Sequence, residues 1–108
     1  MTLNEYQALA QRTARHDLPT KCHLSNGVLG LAGETGEVCD LVKKHFYQDG
    51  REIRDDLIDE LGDVLWYIAE TASAIGVQMD DIAQHNVDKL KRRYPEGFDA
   101  DRSLHREE

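Results

Sequence analysis

Prolines are scarce in this 108-residue chain: Pro19 and Pro95 are the only two. Long stretches between them can therefore run as uninterrupted helix. Aromatic residues are equally sparse, at one Trp, two Phe and four Tyr, while Ala, Leu, Glu, Asp and Lys are plentiful. That balance favours an all-α domain over a sandwich or barrel. Cysteine is limited to Cys22 and Cys39, with neither C-x-x-C nor H-x-x-x-H spacing. This argues against a structural zinc and against a disulfide-stapled secreted scaffold, leaving two reduced thiols in a cytoplasmic protein as the expectation. No apolar run approaches the roughly 18–20 residues that span a bilayer, so no membrane association is expected. The opening MTLNEYQALAQ lacks the basic region and apolar core of a secretory signal. Basic residues are outnumbered, 13 against 21 acidic, for a formal charge of −8. Nucleic acid is thereby excluded as a bulk electrostatic partner, although a small phosphate ligand accompanied by a cation is not.

At this length one domain is expected, over residues 1–98, followed by a polar, mobile tail over residues 99–108. The periodicity predicts four helices. The first runs from residue 3 to about 15, capped by Thr2 or Asn4 and ended by Asp17-Leu18-Pro19-Thr20. The second starts near His23 to Asn26, with Ser25 or Asn26 as cap, and reaches about Tyr47. The short turn Gln48-Asp49-Gly50 makes the third, from about Glu52 to Ile75, its antiparallel neighbour. Gly76 stops the third helix, and the fourth runs from Met79 or Asp80 to Tyr94, before Pro95. The expected architecture is an antiparallel four-helix bundle.

Two acidic pairs stand inside these apolar patterns: Glu34-x-x-Glu37 on the second helix and Glu60-x-x-Asp63 on the third, with 22 residues between Glu37 and Glu60. Residues three apart share a helix face. Packing the two helices together would gather four carboxylates, which repel unless protons or cations neutralise them. Hard oxygen donors select Mg²⁺, with Mn²⁺ as a substitute. The stripe through Glu34 and Glu37 continues back to Gly27 and Gly30 and forward to Leu41 and Lys44. The matching stripe on the third helix is Asp56, Glu60, Asp63, Tyr67 and Glu70. On the fourth, Ile82, Asn86, Lys89 and Arg93 align, a donor-rich edge suited to phosphate oxygens. Metal-assisted attack of water on a phosphoanhydride is the chemistry these residues suggest. Close packing is the expected role of Gly33 and Gly36 beside the acids. For Gly27 and Gly30, close packing and a kinked first turn stand level. A di-iron carboxylate bundle would need Glu-x-x-His pairs, and the chain has none.

The segments GLAGETGEVCDLVKKHF, DELGDVLWYIAETASAIG and NVDKLKRRYPEGF together resemble the MazG family of all-α nucleoside triphosphate pyrophosphohydrolases, over about residues 24 to 98. The resemblance implies Mg²⁺ held by Glu34, Glu37, Glu60 and Asp63, which are the catalytic acids. It implies cleavage of nucleoside triphosphates between the α- and β-phosphates, giving a monophosphate and pyrophosphate, in a house-cleaning role on the nucleotide pool. It also implies substrate contacts from Lys44 and Tyr67 and from the segment holding Asn86, Lys89, Arg93 and Tyr94. A homodimer or homotetramer is expected on two grounds: the resemblance, and apolar faces too wide for a small monomer to bury. The competing expectation is a non-catalytic helical module that binds nucleotide or regulates without turnover.

Overall fold

The computed structural model describes residues 1–105 and is all-helical over them, with no strand. Its helices are α1 (Leu3–Gln11), α2 (Thr20–Lys44), α3 (Arg54–Ala74), α4 (Met79–Arg93) and a short α5 (Ala100–Leu104).

Thr2 starts α1 through a reciprocal capping box: its hydroxyl accepts from the Glu5 amide at 3.0 Å, and the Glu5 carboxylate accepts from the Thr2 amide at 3.3 Å. The helix ends at Gln11, earlier than its periodicity predicts, because residues 12–14 tighten into three-residue turns and the Thr13 hydroxyl takes the Ala10 carbonyl at 2.7 Å. Ala14 is still buried, so the apolar spacing was a signal of packing and not of helix length.

α2 begins at Thr20, directly after Pro19, three residues ahead of the expected start. Proline suits a helix entry because its fixed φ matches and no amide is lost there. Ser25 and Asn26, expected as caps, therefore lie inside the helix. After Lys44 the chain passes through a π-helical turn, His45–Asp49, and reverses at Gly50, whose φ of 66° needs glycine. The π turn puts Phe46 and Tyr47 into solvent, 70 % and 83 % exposed.

Gly76 ends α3 as expected. Its amide bonds the Ser73 carbonyl at 3.1 Å, the Val77 amide reaches back to Ala72 at 2.9 Å, and its φ is 72°, which together make a Schellman stop. The first amides of α4 are satisfied by another helix: Gln7 accepts from the Met79 amide at 2.8 Å and Asn4 from the Asp80 amide at 2.9 Å. Gln7 is buried, and its amide nitrogen also donates to Ser73 Oγ and the Val77 carbonyl, both at 3.0 Å. One α1 side chain thus ties together the end of α3, the connecting turn and the start of α4. In the tail, Asp99 caps α5 and Arg102 returns to the Arg92 and Arg93 carbonyls; residues 106–108 lie outside the described residues.

The core is small and built on alanine: Ala10, Ala69, Ala72 and Met79, covered by Leu3, Tyr6, Leu65, Trp66 and Ile68. Small residues let helices approach closely, and α2 and α3 show this most. A Cβ on Gly27 would stand 2.3 Å from Thr71 Oγ1 and 3.0 Å from the Thr71 amide nitrogen. One on Gly30 would stand 2.1 Å from the Tyr67 ring. Gly33 and Gly36 meet nothing within 4 Å, so the close approach falls on the first two glycines and not on the pair beside the acids. The pairings 27 with 71 and 30 with 67 show that α2 and α3 run antiparallel. α1 lies against α3, and α4 packs chiefly on α1. The single chain is open, with a radius of gyration of 17.0 Å, where a compact domain of this size has about 13 Å.

We expect Gly27→Ala to cost about 1–3 kcal/mol by overpacking against the α3 backbone. Gly36→Ala, in open space within a helix, should stabilise by about 0.5–1 kcal/mol. Urea denaturation of the two variants checks the contrast.

Candidate metal centre

Beyond Gly30, α2 and α3 continue side by side, and the next turn of each carries acids. Oxygen atoms of Glu34, Glu60 and Asp63 lie within 4.8 Å of one another. Glu34 and Glu60 are half-buried and Asp63 is exposed. Glu37, one turn along α2, is exposed and is not part of this trio, although its charge is felt at Glu60. Two facing helices supply the three oxygens. The rigid Gly27 and Gly30 contacts set the register that brings Glu34 opposite Glu60 and Asp63.

The electrostatics are those of a crowded anionic site. The Glu60 carboxyl is pushed above the ordinary glutamate value, first by a hydrogen bond with Glu34, then by partial burial and by the charges of Glu34, Asp63 and Glu37. Sharing a proton is how two close carboxylates reduce their repulsion. Among the described residues no Lys or Arg forms an ion pair with any of the four acids. Clustered hard oxygen donors with no protein cation beside them are suited to a divalent ion of the Mg²⁺ or Mn²⁺ type. Tyr6, from α1, feels the same field: burial and then the Asp63 charge raise its phenol.

Beside the cluster lies an open groove of about 320 Å³, lined by Glu34, Asp63, Trp66 and Tyr67. The Trp66 and Tyr67 rings meet edge to face with centroids 5.0 Å apart. Trp66 is fixed by its indole N–H, which donates to Thr13 Oγ1 at 2.8 Å and the Ala10 carbonyl at 3.2 Å. Tyr67 is fixed by its seat on Gly30. The structure thus brings Glu34, Glu60, Asp63 and Tyr67 together. Tyr6 and Trp66 are additions that the helical stripes did not mark, since Tyr6 comes from another helix and Trp66 reads as core.

The other candidate residues stand apart from the groove in the single chain. Lys44 is paired with Asp40 at 2.7 Å, and it lies about 15 Å along α2 from Glu34. Asn86 is exposed, while Lys89, Arg93 and Tyr94 are half-buried on the far half of α4. Tyr94 packs on Phe98 with ring centroids 5.5 Å apart. None of these residues lines the groove.

Mutual repulsion makes a sharp prediction for the cation-free protein. A carboxyl with a raised folded-state pKa favours folding when protonated, so its contribution falls as pH rises through that value. Glu60→Gln should therefore melt higher than the wild type at pH 7, with the difference closing as pH falls through the Glu60 titration. Adding millimolar Mg²⁺ should raise the wild-type Tm and leave Glu60→Gln little changed. Differential scanning fluorimetry across pH reads both effects.

Comparison with known proteins gives a consistent result. The chain is similar to the Gene 37 protein of Mycobacterium phage L5, at 38% identity over 105 residues, covering 90% of this chain and 92% of that protein. No solved structure matches it. Residues 23–98, which contain all four acids, the whole of α3 and all but the first three residues of α2, match the MazG nucleotide pyrophosphohydrolase domain. The chain belongs to the MazG nucleotide pyrophosphohydrolase family.

Proposed function

We propose that this chain is a Mg²⁺-dependent nucleoside triphosphate pyrophosphohydrolase that cleaves (deoxy)nucleoside triphosphates between the α- and β-phosphates. The observation that carries the reading is the convergence of Glu34, Glu60 and Asp63 oxygens within 4.8 Å beside an aromatic-lined groove. MazG family members are generally dependent on a divalent metal. Glu34, Glu60 and Asp63, joined by Glu37, would hold the ion, which when bound neutralises phosphate charge and polarises the scissile anhydride.

The chain's own residues supply the rest. In this reading Tyr67 borders the nucleotide, and Gly30 holds its ring in place. Water attacks the α-phosphorus and its proton passes to one of the carboxylates. The bridging oxygen leaves with pyrophosphate, and the nucleoside monophosphate remains. Lys44, Asn86, Lys89, Arg93 and Tyr94 serve as phosphate-side contacts, and the α4 residues among them reach the groove from a second copy. Removal of unwanted nucleotides from the pool is the role such a reaction serves.

The accessible surface supports assembly. The described chain exposes 7872 Å², against about 6,100 Å² for a compact monomer of this mass. The excess of about 1,800 Å² per chain is of the order that obligate homo-oligomers bury on each subunit. Ile58 and Leu61 on α3 and Val87 and Leu90 on α4 are exposed apolar residues available to it. We infer a homodimer or a dimer of dimers.

Incubation with Mg²⁺ and a nucleoside triphosphate should release pyrophosphate and monophosphate in equal amounts. Orthophosphate with diphosphate would reject α–β cleavage. Glu37→Gln should lower kcat/KM by at least about a hundredfold with an unchanged helical CD spectrum. Nucleotide-dependent thermal stabilisation without pyrophosphate release would instead favour a non-catalytic binding module. Light scattering at micromolar concentration should give a mass of two or four chains, and a monomer would contradict the assembly.

A further inference from the structure

The end of α1 is shaped to receive a side chain from α3. Because α1 stops at Gln11, the Ala14 amide bonds the Gln11 carbonyl at 3.2 Å, and the Ala10 carbonyl loses the partner that a continuing helix would give it. Ala10 accepts instead from the Thr13 amide at 3.0 Å, from the Thr13 hydroxyl at 2.7 Å and from the Trp66 indole N–H at 3.2 Å. The Thr13 hydroxyl donates its one proton to Ala10, so its oxygen is left as an acceptor, and it takes the same indole N–H at 2.8 Å. That N–H is the only polar group of the ring. With it held by α1, Trp66 offers the neighbouring groove apolar ring surface and no hydrogen bond.

The ring stands where a nucleotide would extend from the acids. Glu34 and Asp63 line the groove together with Trp66 and Tyr67, and the two rings lie one turn beyond Asp63 on α3, about 5 Å along the axis. Phosphates held at the acids therefore place the sugar and base against the aromatic corner, where the two rings meet at 80°. Tyr67 takes its orientation from Gly30, inside the α2–α3 pair. Trp66 takes its orientation from α1, which precedes residues 23–98, the part of the chain that matches the family domain. We propose that Trp66 is the stacking wall for the nucleobase and that Thr13 is its positioning residue, acting through the indole and touching no substrate. The wall is base-tolerant, because every base has a π-face to stack and Trp66 has no free polar atom with which to select one. This inference rests on the nucleotide reading of the acid cluster.

The test uses the full chain, whose single tryptophan makes its fluorescence a direct report on the wall. Nucleoside triphosphate analogues with a non-hydrolysable α–β bridge, added with Mg²⁺, should change the emission saturably for purines and pyrimidines alike. Tripolyphosphate, which has the phosphates and no base, should leave it unchanged. In turnover, Thr13→Val should raise KM about three- to tenfold for every base with little change in kcat, because a contact distant from the reacting atoms is loosened. Thr13→Ser keeps the hydroxyl and should keep the wild-type KM, whereas a merely structural Thr13 would lower the Tm of Thr13→Val without moving KM. Unchanged KM in Thr13→Val, or an equal rise in Thr13→Ser, overturns the positioning role. Unchanged emission with every analogue, or an equal change with tripolyphosphate, overturns the wall while leaving pyrophosphohydrolysis intact. If no triphosphate is hydrolysed, the pyrophosphohydrolase reading fails, and the emission titrations decide the inference alone. A base-dependent change whose Kd rises at least about threefold in Thr13→Val retains it, and no such change removes it.

Discussion

Gly27 and Gly30 have no side chains, and the approach of α3 to α2 depends on that. Thr71 and Tyr67 occupy the space a Cβ would need. This contact fixes the separation and the register of the two long helices together. Register then decides the site, because the next turn of α2 presents Glu34 and the facing turns of α3 present Glu60 and Asp63. A helix pair held further apart would leave the same acids as separate wet carboxylates. Held close, they raise the Glu60 pKa, through the hydrogen bond with Glu34 first and then through partial burial and the neighbouring charges.

Stability and function pull against each other at this pair. The contacts at 27 and 30 favour association of the helices, whereas the carboxylates one turn on oppose it. The tension persists here beside a groove open to solvent. Buried Glu70 handles its charge differently, through His23 and Asn26. Two carboxylate environments on one α3 face thus differ: Glu70 is satisfied within the chain, and the Glu60 cluster has no cationic side chain paired with it among the described residues.

α1 is the second organising element. Its capping box sets where it begins, and Gln7 and Asn4 then supply the missing caps of α4. The first turn of α4 has no side-chain cap of its own, so its position is set by α1 more than by local sequence. Beyond that anchor α4 runs with Val87 and Leu90 exposed, and the surface of the chain exceeds what one compact molecule of this mass needs.

The sequence alone determined that the chain is helical, where α3 stops, and which residue types could hold a hard cation. Those follow from local rules: periodicity, a glycine at positive φ, and the three-residue spacing of acids on a helix face. The family resemblance, too, was carried by linear motifs. Local rules could not decide which glycines meet another helix: they favoured Gly33 and Gly36, and the contacts fall on Gly27 and Gly30. Nor could they decide the start of α2, where Pro19 overrode the polar caps expected at Ser25 and Asn26. The tertiary structure alone brought three acids into one cluster and stood Glu37 off from it. It set Tyr6 and Trp66 beside the cluster. Each of these depends on distances between helices far apart in the chain, and a linear pattern carries no record of such distances.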